Sequence, residues 1–211
     1  MTLLRKYGML LSQVQPANLE MIRQWRNKEA VRTKMQYTEL ITETQQKAWY
    51  NQINENQDLY FVYDSIGVVN LKDIEWETQI AEAGIFSSQS DIHASLQSIK
   101  AVLILMDFAF GALGLKSLKA TIKDDNETVI HLNLALGYQL QTRGKDGFSQ
   151  YGCSVESYMQ SSERWHLHFK KLYKEDTVLK VQYTEDAPIA HRLTRVEGFL
   201  FLAQPFSPLQ S

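Results

Sequence analysis

The stretch Ser95–Leu113, SLQSIKAVLILMDFAFGAL, decides the fold. Its apolar residues recur at helical spacing, and further apolar residues fill the other faces, so a helix here is apolar on nearly every side. Such a helix is buried on both sides, usually between a sheet and another helix. Gly114 ends it and a strand-like segment follows. We therefore expect a long core helix that joins two parallel strands.

Segments rich in β-branched and aromatic residues surround this helix and read as strands. Shorter helices are expected from Leu19 and after Asn126. Another is expected from Glu43, where Thr42 and Gln45 have the spacing of a capping box. The order of elements indicates a mixed α/β fold around a sheet of about seven strands. The predicted strands cover residues 8–14, 58–63, 68–74, 80–86, 117–122, 138–142 and 152–159.

The last fifty residues exceed what this core requires. We expect a domain over residues 1–160 and an extension over residues 161–211, made of a helix from Ser162 to Lys174 and a two-strand hairpin. An isolated hairpin is not stable, so the extension must pack on the core, pair with a second copy in a homodimer, or both. The apolar run Phe199–Leu202 is the expected edge for such pairing.

Charge and composition exclude several classes of protein. The 22 Lys+Arg and 24 Asp+Glu residues leave a formal net charge of −2, which argues against a nucleic-acid-binding protein. The single Cys153 forms no internal disulfide, and His166 and His168 lie on opposite faces of a helix, so no metal site is expected. The longest apolar run, residues 101–106, is too short for a membrane span or a signal peptide. We expect a cytoplasmic protein.

Several short motifs occur in a familiar order. Ala83–Phe86 (AGIF) precedes the long helix, which ends in Leu105–Phe110 (LMDFAF) and Leu113–Leu115 (LGL). Asp125-Asn126 and Leu136–Tyr138 (LGY) follow. Over residues 8–160 the chain resembles the GNAT superfamily of N-acetyltransferases. The resemblance implies a mostly antiparallel seven-stranded sheet with helices on both faces, and acetyl-CoA as co-substrate.

A narrower resemblance rests on Trp25-Arg26-Asn27, Leu59–Val62 (LYFV) and Glu82–Ile85 (EAGI). These motifs are similar to those of nucleotide-linked amino-sugar N-acetyltransferases of the pseudaminic-acid type, and of the related ribosomal-protein acetyltransferases. The resemblance implies direct acetyl transfer to a primary amine of a small molecule, with a nucleotide-linked amino sugar as first choice. A protein N-terminal amine is the next acceptor.

The family's site residues map onto this sequence by position. Glu82 corresponds to a glutamate that often faces the acceptor amine, and a carboxylate there would serve as general base. Ile85, Phe86 and Ser87 would contact the pantetheine arm through their backbone, and Asn126 would lie beside the same arm. At the end of the first helix, the residues Trp25, Arg26 and Asn27 would border the acceptor. Arg26 would pair there with a phosphate or carboxylate of the acceptor.

Two positions depart from the family's pattern, both on the cofactor side. The pyrophosphate loop maps onto six residues in which Leu96 replaces a glycine, and no Lys or Arg occurs between Gly84 and Ser98. Asn133 stands where a tyrosine would protonate the leaving thiolate, and an amide is no acid. These departures favour an alternative, a non-catalytic member that binds a ligand or partner. The six loop residues are His93, Ala94, Ser95, Leu96, Gln97 and Ser98.

Overall fold

The protein is described from a computed structural model that covers residues 1–89, 92–144 and 146–206, with the backbone alone at residues 92–94. One mixed sheet holds the ten strands of this part of the chain, in the order β10-β9-β1-β2-β3-β4-β5-β6-β8-β7. The pairs β5–β6 and β9–β10 are parallel and the others antiparallel, which confirms the predicted mixed α/β class. The strands are β1 (Thr2–Lys6), β2 (Met9–Gln13), β3 (Leu59–Tyr63), β4 (Gly67–Glu75), β5 (Ile80–Ser87), β6 (Ser117–Lys123), β7 (Gln139–Arg143), β8 (Phe148–Ser154), β9 (Leu179–Tyr183) and β10 (Phe201–Pro205).

Local sequence signals explain where the helices begin and end. Thr42 Oγ1 accepts a hydrogen bond from the Gln45 backbone N–H at 3.2 Å, and Gln45 Oε1 accepts one from Thr42 N at 2.8 Å, so the predicted capping box is present. Gly137 follows the fifth helix with φ +95°, a conformation that favours glycine. The helices are α1 (Leu19–Asn27), α2 (Glu29–Arg32), α3 (Glu43–Gln52), α4 (Ile92–Asp107), α5 (Glu127–Ala135) and α6 (Val155–Leu172).

The long helix α4 lies in the core as predicted, and a π-helical turn, Phe108–Ala112, extends it. Every residue from Ala101 to Leu113 is buried. By length and composition alone, the stretch Ser95–Ala112 would suffice to cross a membrane, but 67% of it is buried inside the protein. That burial is typical of a core helix packed on a sheet.

The sheet has an apolar cluster on each face. Along β3, Phe61 and Tyr63 belong to the large cluster that contains α4, whereas Val62 belongs to a smaller cluster with Ile22 and Trp25 of α1. Successive strand residues point to opposite faces, so this alternation places α4 and α1 on opposite sides of the sheet. The expectation of helices on both faces is confirmed.

The C-terminal segment differs from its predicted form. Helix α6 begins at Val155 instead of Ser162 and continues across residue 160. Strand β9 pairs with β1, which the sequence reading missed, and β10 lies parallel to β9, so the predicted hairpin is wrong. Parallel neighbours need a long crossover, supplied here by residues 184–200. The division of the chain at residue 160 stays a prediction.

A buried polar cluster joins β1, α4 and α6. Lys6 Nζ lies 2.6 Å from Asp107 Oδ2, and both side chains are less than a tenth exposed. Tyr158 donates a hydrogen bond of 2.7 Å to Asp107 Oδ1, and His166 Nε2 lies 3.3 Å from the same oxygen. Burial raises the pKa of Asp107, but the neighbouring Lys6 and His166 outweigh burial and hold it well below its usual range. The carboxylate therefore stays charged in the core.

Candidate active site

The cavity that could hold a substrate opens where two parallel strands separate. Strand β5 pairs with β6 only from Ile80 to Glu82, opposite Ser117–Lys119, although both strands continue further. Beyond Glu82 the strands diverge, and a cavity of about 570 Å³ lies there. Its walls come from Glu82–Phe86 of β5, Ala120–Lys123 of β6, and side chains of α1, α3, α4 and α5.

Glu82 lies at the point of divergence and lines the cavity. Its Oε1 is 3.2 Å from Nζ of Lys72 on the adjacent strand β4, and its side chain is 29% exposed. Glu82, Gly84 and Phe86 share one face of β5 because successive side chains alternate. The site therefore presents a solvent-accessible carboxylate, paired with an ammonium group, to a ligand in the cavity.

Three of the residues expected beside the pantetheine arm line the cavity wall. Ile85 and Phe86 line it, and residues 83–87 of β5 have no partner in β6, so their backbone groups on that side are open to a ligand. Asn126 also lines the cavity and makes no side-chain capping bond to α5. Ser87 does not line it, since its hydroxyl donates to the Gln89 carbonyl at 2.8 Å.

The predicted pyrophosphate loop is helical. Its six residues lie in the first turns of α4, which begins at Ile92. The side chains of His93 and Ala94 are outside the described residues. Leu96 is 43% exposed and does not line the cavity, and Ser98 Oγ lies 2.9 Å from the Tyr63 hydroxyl. Residues 95–98 fall in the predicted core helix as well as in the family's loop pattern, and the helix begins earlier than predicted, at Ile92. Without the glycine of the family's pattern these residues suit a helix. Cofactor binding by Ser95, Leu96, Gln97 and Ser98 stays a prediction.

Asn133 lines the cavity but its amide is engaged. Its Nδ2 donates to the Val129 carbonyl at 2.8 Å, which fixes the side chain along α5. Tyr138, which the sequence analysis did not select, lines the same cavity and is 3% exposed. Burial, and to a smaller extent Cys153 and Glu82, raise the pKa of Tyr138 well above its usual range. The sequence signal that could have indicated this position is Gly137, which ends the helix and is followed directly by Tyr138.

The three residues expected beside the acceptor have different roles. Arg26 lines the cavity, and its guanidinium carbon lies 5.8 Å from the centre of the Phe86 ring. Trp25 packs in the smaller core cluster and does not line the cavity. Asn27 exchanges two hydrogen bonds of 2.8 Å with the backbone of Ile41, so its amide fixes the loop before α3. Trp25 and Asn27 support the wall that carries Arg26.

Lysines distant in sequence complete the site. Lys34 and Lys123 line the cavity, although about 90 residues separate them and no local pattern links them. Lys28 Nζ donates to the Ser88 carbonyl at 3.1 Å, which brings a cation to the end of β5. Within the described part of the chain, no group of three or more His, Cys, Asp or Glu residues is arranged to hold a metal ion.

Comparisons with known proteins agree with this geometry. The family model for the acetyltransferase (GNAT) domain matches residues 9–139. Spermidine N-acetyltransferase from Vibrio cholerae, in complex with CoA and spermine, is 18% identical with a TM-score of 0.61, and covers 72% of this chain and 98% of its own. FdhC, a nucleotide-linked sugar GNAT, is 19% identical with a TM-score of 0.60, and covers 76% and 94%.

A domain from Methanocaldococcus jannaschii has 18% identity and a TM-score of 0.61, and covers 70% of this chain and 98% of its own. Among curated proteins, none matches the chain significantly. At these identities the solved structures share the fold alone. The family model spans more than half of the chain, over the strands and helices that form the cavity. The chain therefore belongs to the GNAT family of acetyltransferases and is a transferase.

Proposed function

We propose that the protein is an acetyl-CoA-dependent N-acetyltransferase that acts on a primary amine of a small molecule, by direct transfer within a ternary complex. The position of Glu82, an accessible carboxylate where β5 and β6 separate, is the observation that carries the proposal. Acetyl-CoA would supply the activated acetyl group from the wedge between these strands. The acceptor would be a nucleotide-linked amino sugar, with protein N-terminal amines next.

The protein's own groups would move two protons. Glu82 would accept the proton that the amine loses, directly or through a water molecule. Lys72, whose Nζ lies 3.2 Å from Oε1 of Glu82, would hold this carboxylate in position. Tyr138 would donate the proton that the leaving thiolate gains, since Asn133 cannot and Tyr138 is a phenol that lines the same cavity.

Cofactor binding and turnover test the proposal separately. Calorimetry should detect acetyl-CoA binding, and no heat up to millimolar cofactor would contradict the enzyme function. Glu82→Gln should lower kcat about 100-fold or more while cofactor affinity is kept. Glu75→Gln is the matched control, because Glu75 is exposed at the end of β4 and does not line the cavity, so the rate should be unchanged. An unchanged rate in Glu82→Gln would show that Glu82 is not the general base.

Tyr138→Phe tests the second proton transfer. With acetyl-CoA as substrate, we expect kcat to fall about 10- to 100-fold in this variant, because its thiolate is a poor leaving group. An acetyl thioester of a more acidic thiol should recover most of the rate, because its thiolate needs less protonation. Equal effects on both thioesters would assign Tyr138 a packing role.

We also propose, from the sequence expectation, a cytoplasmic protein that forms a homodimer through its C-terminal edge. Strand β10 is an edge of the sheet, and Leu200 and Leu202 beside it are 79% and 60% exposed. Light scattering after size-exclusion chromatography tests the dimer. A monomer at 100 micromolar, on the order of crowded cellular levels, would contradict it.

A further inference from the structure

The mouth of the cavity lies four residues beyond Glu82, at the level of Phe86 on β5 and Lys123 on β6. Glu82 pairs with Lys119 in the parallel register, so Phe86 and Lys123, each four residues further, stand at the same level. At about 3.3 Å per residue this level is ~13 Å from Glu82 along the strands. Arg26 lies against Phe86 on the β5 side, and Lys123 ends β6 on the other. Cationic side chains therefore stand on both sides of the mouth.

Carboxylates only partly neutralise these cations. Lys34 Nζ lies 3.0 Å from Asp125 Oδ1 and Lys123 Nζ lies 3.3 Å from Asp125 Oδ2, so two ammonium groups share one carboxylate. The Asp125 side chain is 59% exposed, and Lys34, followed by Lys123, lowers its pKa. Lys28 contacts a backbone carbonyl. With Arg26, four cationic side chains lie at or near the mouth, and among the described residues Asp125 is the carboxylate that pairs with two of them.

Arg26 is the group whose partner is missing. No described carboxylate lies within ion-pair distance of its guanidinium, and its Nη1 is buried without a hydrogen-bond partner in the described part of the chain. Burial lowers the pKa of Arg26. An unpaired buried donor on a charged group is destabilising, and a ligand oxygen that meets the guanidinium would remove this penalty.

We propose that the mouth of the cavity is a pyrophosphate site in which Arg26 is the main contact and Lys34 and Lys123 flank it. The inference rests on the proposed function, because coenzyme A and a nucleotide-linked amino sugar both carry a pyrophosphate. A guanidinium binds phosphate oxygens in pairs, which suits this position. The site supplies the positive charge that residues 84–98 lack, and it repels a polycationic acceptor such as spermidine.

Calorimetry with two probes tests the site and identifies its ligand. Coenzyme A is titrated into the protein, and uridine diphosphate is titrated into protein already saturated with coenzyme A. Each titration uses the wild type, Arg26→Met, and the control Arg23→Met, which lies on the same helix but pairs with Glu20 outside the cavity. Arg26→Met should weaken one probe about 10- to 100-fold, the usual loss for a charge-assisted hydrogen bond, and Arg23→Met should weaken neither.

The two probes give distinct outcomes. Loss of coenzyme A affinity alone assigns the site to the cofactor, and loss of uridine diphosphate affinity alone assigns it to the acceptor. Equal affinities in Arg26→Met and Arg23→Met for both probes would overturn the site, as would tighter binding of spermidine than of either probe. If the wild type binds uridine diphosphate through Arg26 but never binds coenzyme A, the proposed function fails and the site stands.

A variant that should tighten binding distinguishes an effect of charge from a loss of binding caused by damage to the fold. Asp125→Asn removes the carboxylate that Lys34 and Lys123 share, so both cations become available to the ligand. In Asp125→Asn we expect tighter binding, by about two- to five-fold, of the same probe that Arg26→Met binds more weakly. Added salt should weaken this binding. A weaker affinity in Asp125→Asn would contradict the role of the two lysines.

Discussion

The buried ion pair between Lys6 and Asp107 gives a sharp prediction for stability. Asp107→Asn keeps the shape of the side chain but leaves the Lys6 ammonium, 9% exposed, without its counter-ion. Removing one partner of a buried pair costs about 3–5 kcal/mol. Tyr158 and His166 also lose a charged acceptor in this variant, which places the expected loss at the upper part of that range.

Replacing both partners should cost far less. Lys6→Met with Asp107→Leu removes both charges and fills the space with apolar groups, and such exchanges change stability by about 0–2 kcal/mol or even raise it. Tyr158 keeps a hydrogen bond to the Leu103 carbonyl at 3.2 Å. Lys180→Met is the surface control, because its partner Asp176 is 30% exposed, and it should cost less than about 1 kcal/mol.

Urea unfolding of Lys6→Met, Asp107→Leu and their double variant gives these free energies in one cycle, and Asp107→Asn and the control are measured beside it. A coupling free energy of at least about 2 kcal/mol is expected between the two positions. Single variants that lose less than about 1 kcal/mol each, or a double variant whose loss equals their sum, would refute the reasoning.

The pH dependence of stability follows from the same carboxylate. The pKa of Asp107 in the folded protein lies below the value of about 3.9 that it has in an unfolded chain. Its contribution is therefore fully present above about pH 4, and is lost as the pH falls towards the folded-state pKa. Between pH 5 and pH 2 the wild type should lose its advantage over Asp107→Asn, and a constant difference would contradict this assignment.

Three further predictions concern packing. Gly137→Ala should cost about 1–3 kcal/mol in urea unfolding, since φ is +95° and the new Cβ would lie 2.6 Å from the Ser157 carbonyl; Gly147→Ala, with φ +80° but open space, should cost less and separates the contact from the backbone strain. Gly111→Ala should cost about 1–3 kcal/mol in urea unfolding, because its Cβ would lie 2.7 Å from the Cβ of Phe199. Cys153 should resist a thiol reagent until the protein unfolds, because burial raises its pKa to about 12; rapid labelling of the native protein would contradict this.

Local patterns predicted the elements that depend on neighbours in sequence. The apolar stretch that became α4 and the Thr42–Gln45 capping box were correct, because period and capping act within a few residues. Glu82 and Arg26 reached the cavity as expected, since both lie on elements that the resemblance had placed beside it.

Features that depend on long-range pairing were missed. Strand β1 needs β9, about 180 residues later, and the parallel arrangement of β9 and β10 has no signal in either segment. The same limit hid Lys34 and Lys123, which meet at Asp125 only after the sheet forms. Residues 95–98 belonged both to the predicted core helix and to the family's loop pattern, and the helix is what the structure shows, because these residues lack the glycine of that pattern.

The place of β1 in the sheet has a consequence for how the chain is made. During synthesis β1 emerges just before β2 and can pair with it at once, but the other edge of β1 waits until β9 has been synthesised. Contacts of such long sequence separation form slowly, and an open edge can meanwhile capture another unfinished chain. Nascent chains halted before residue 179 should therefore depend on chaperones and be the forms that aggregate, whereas the finished chain covers this edge with its own β9.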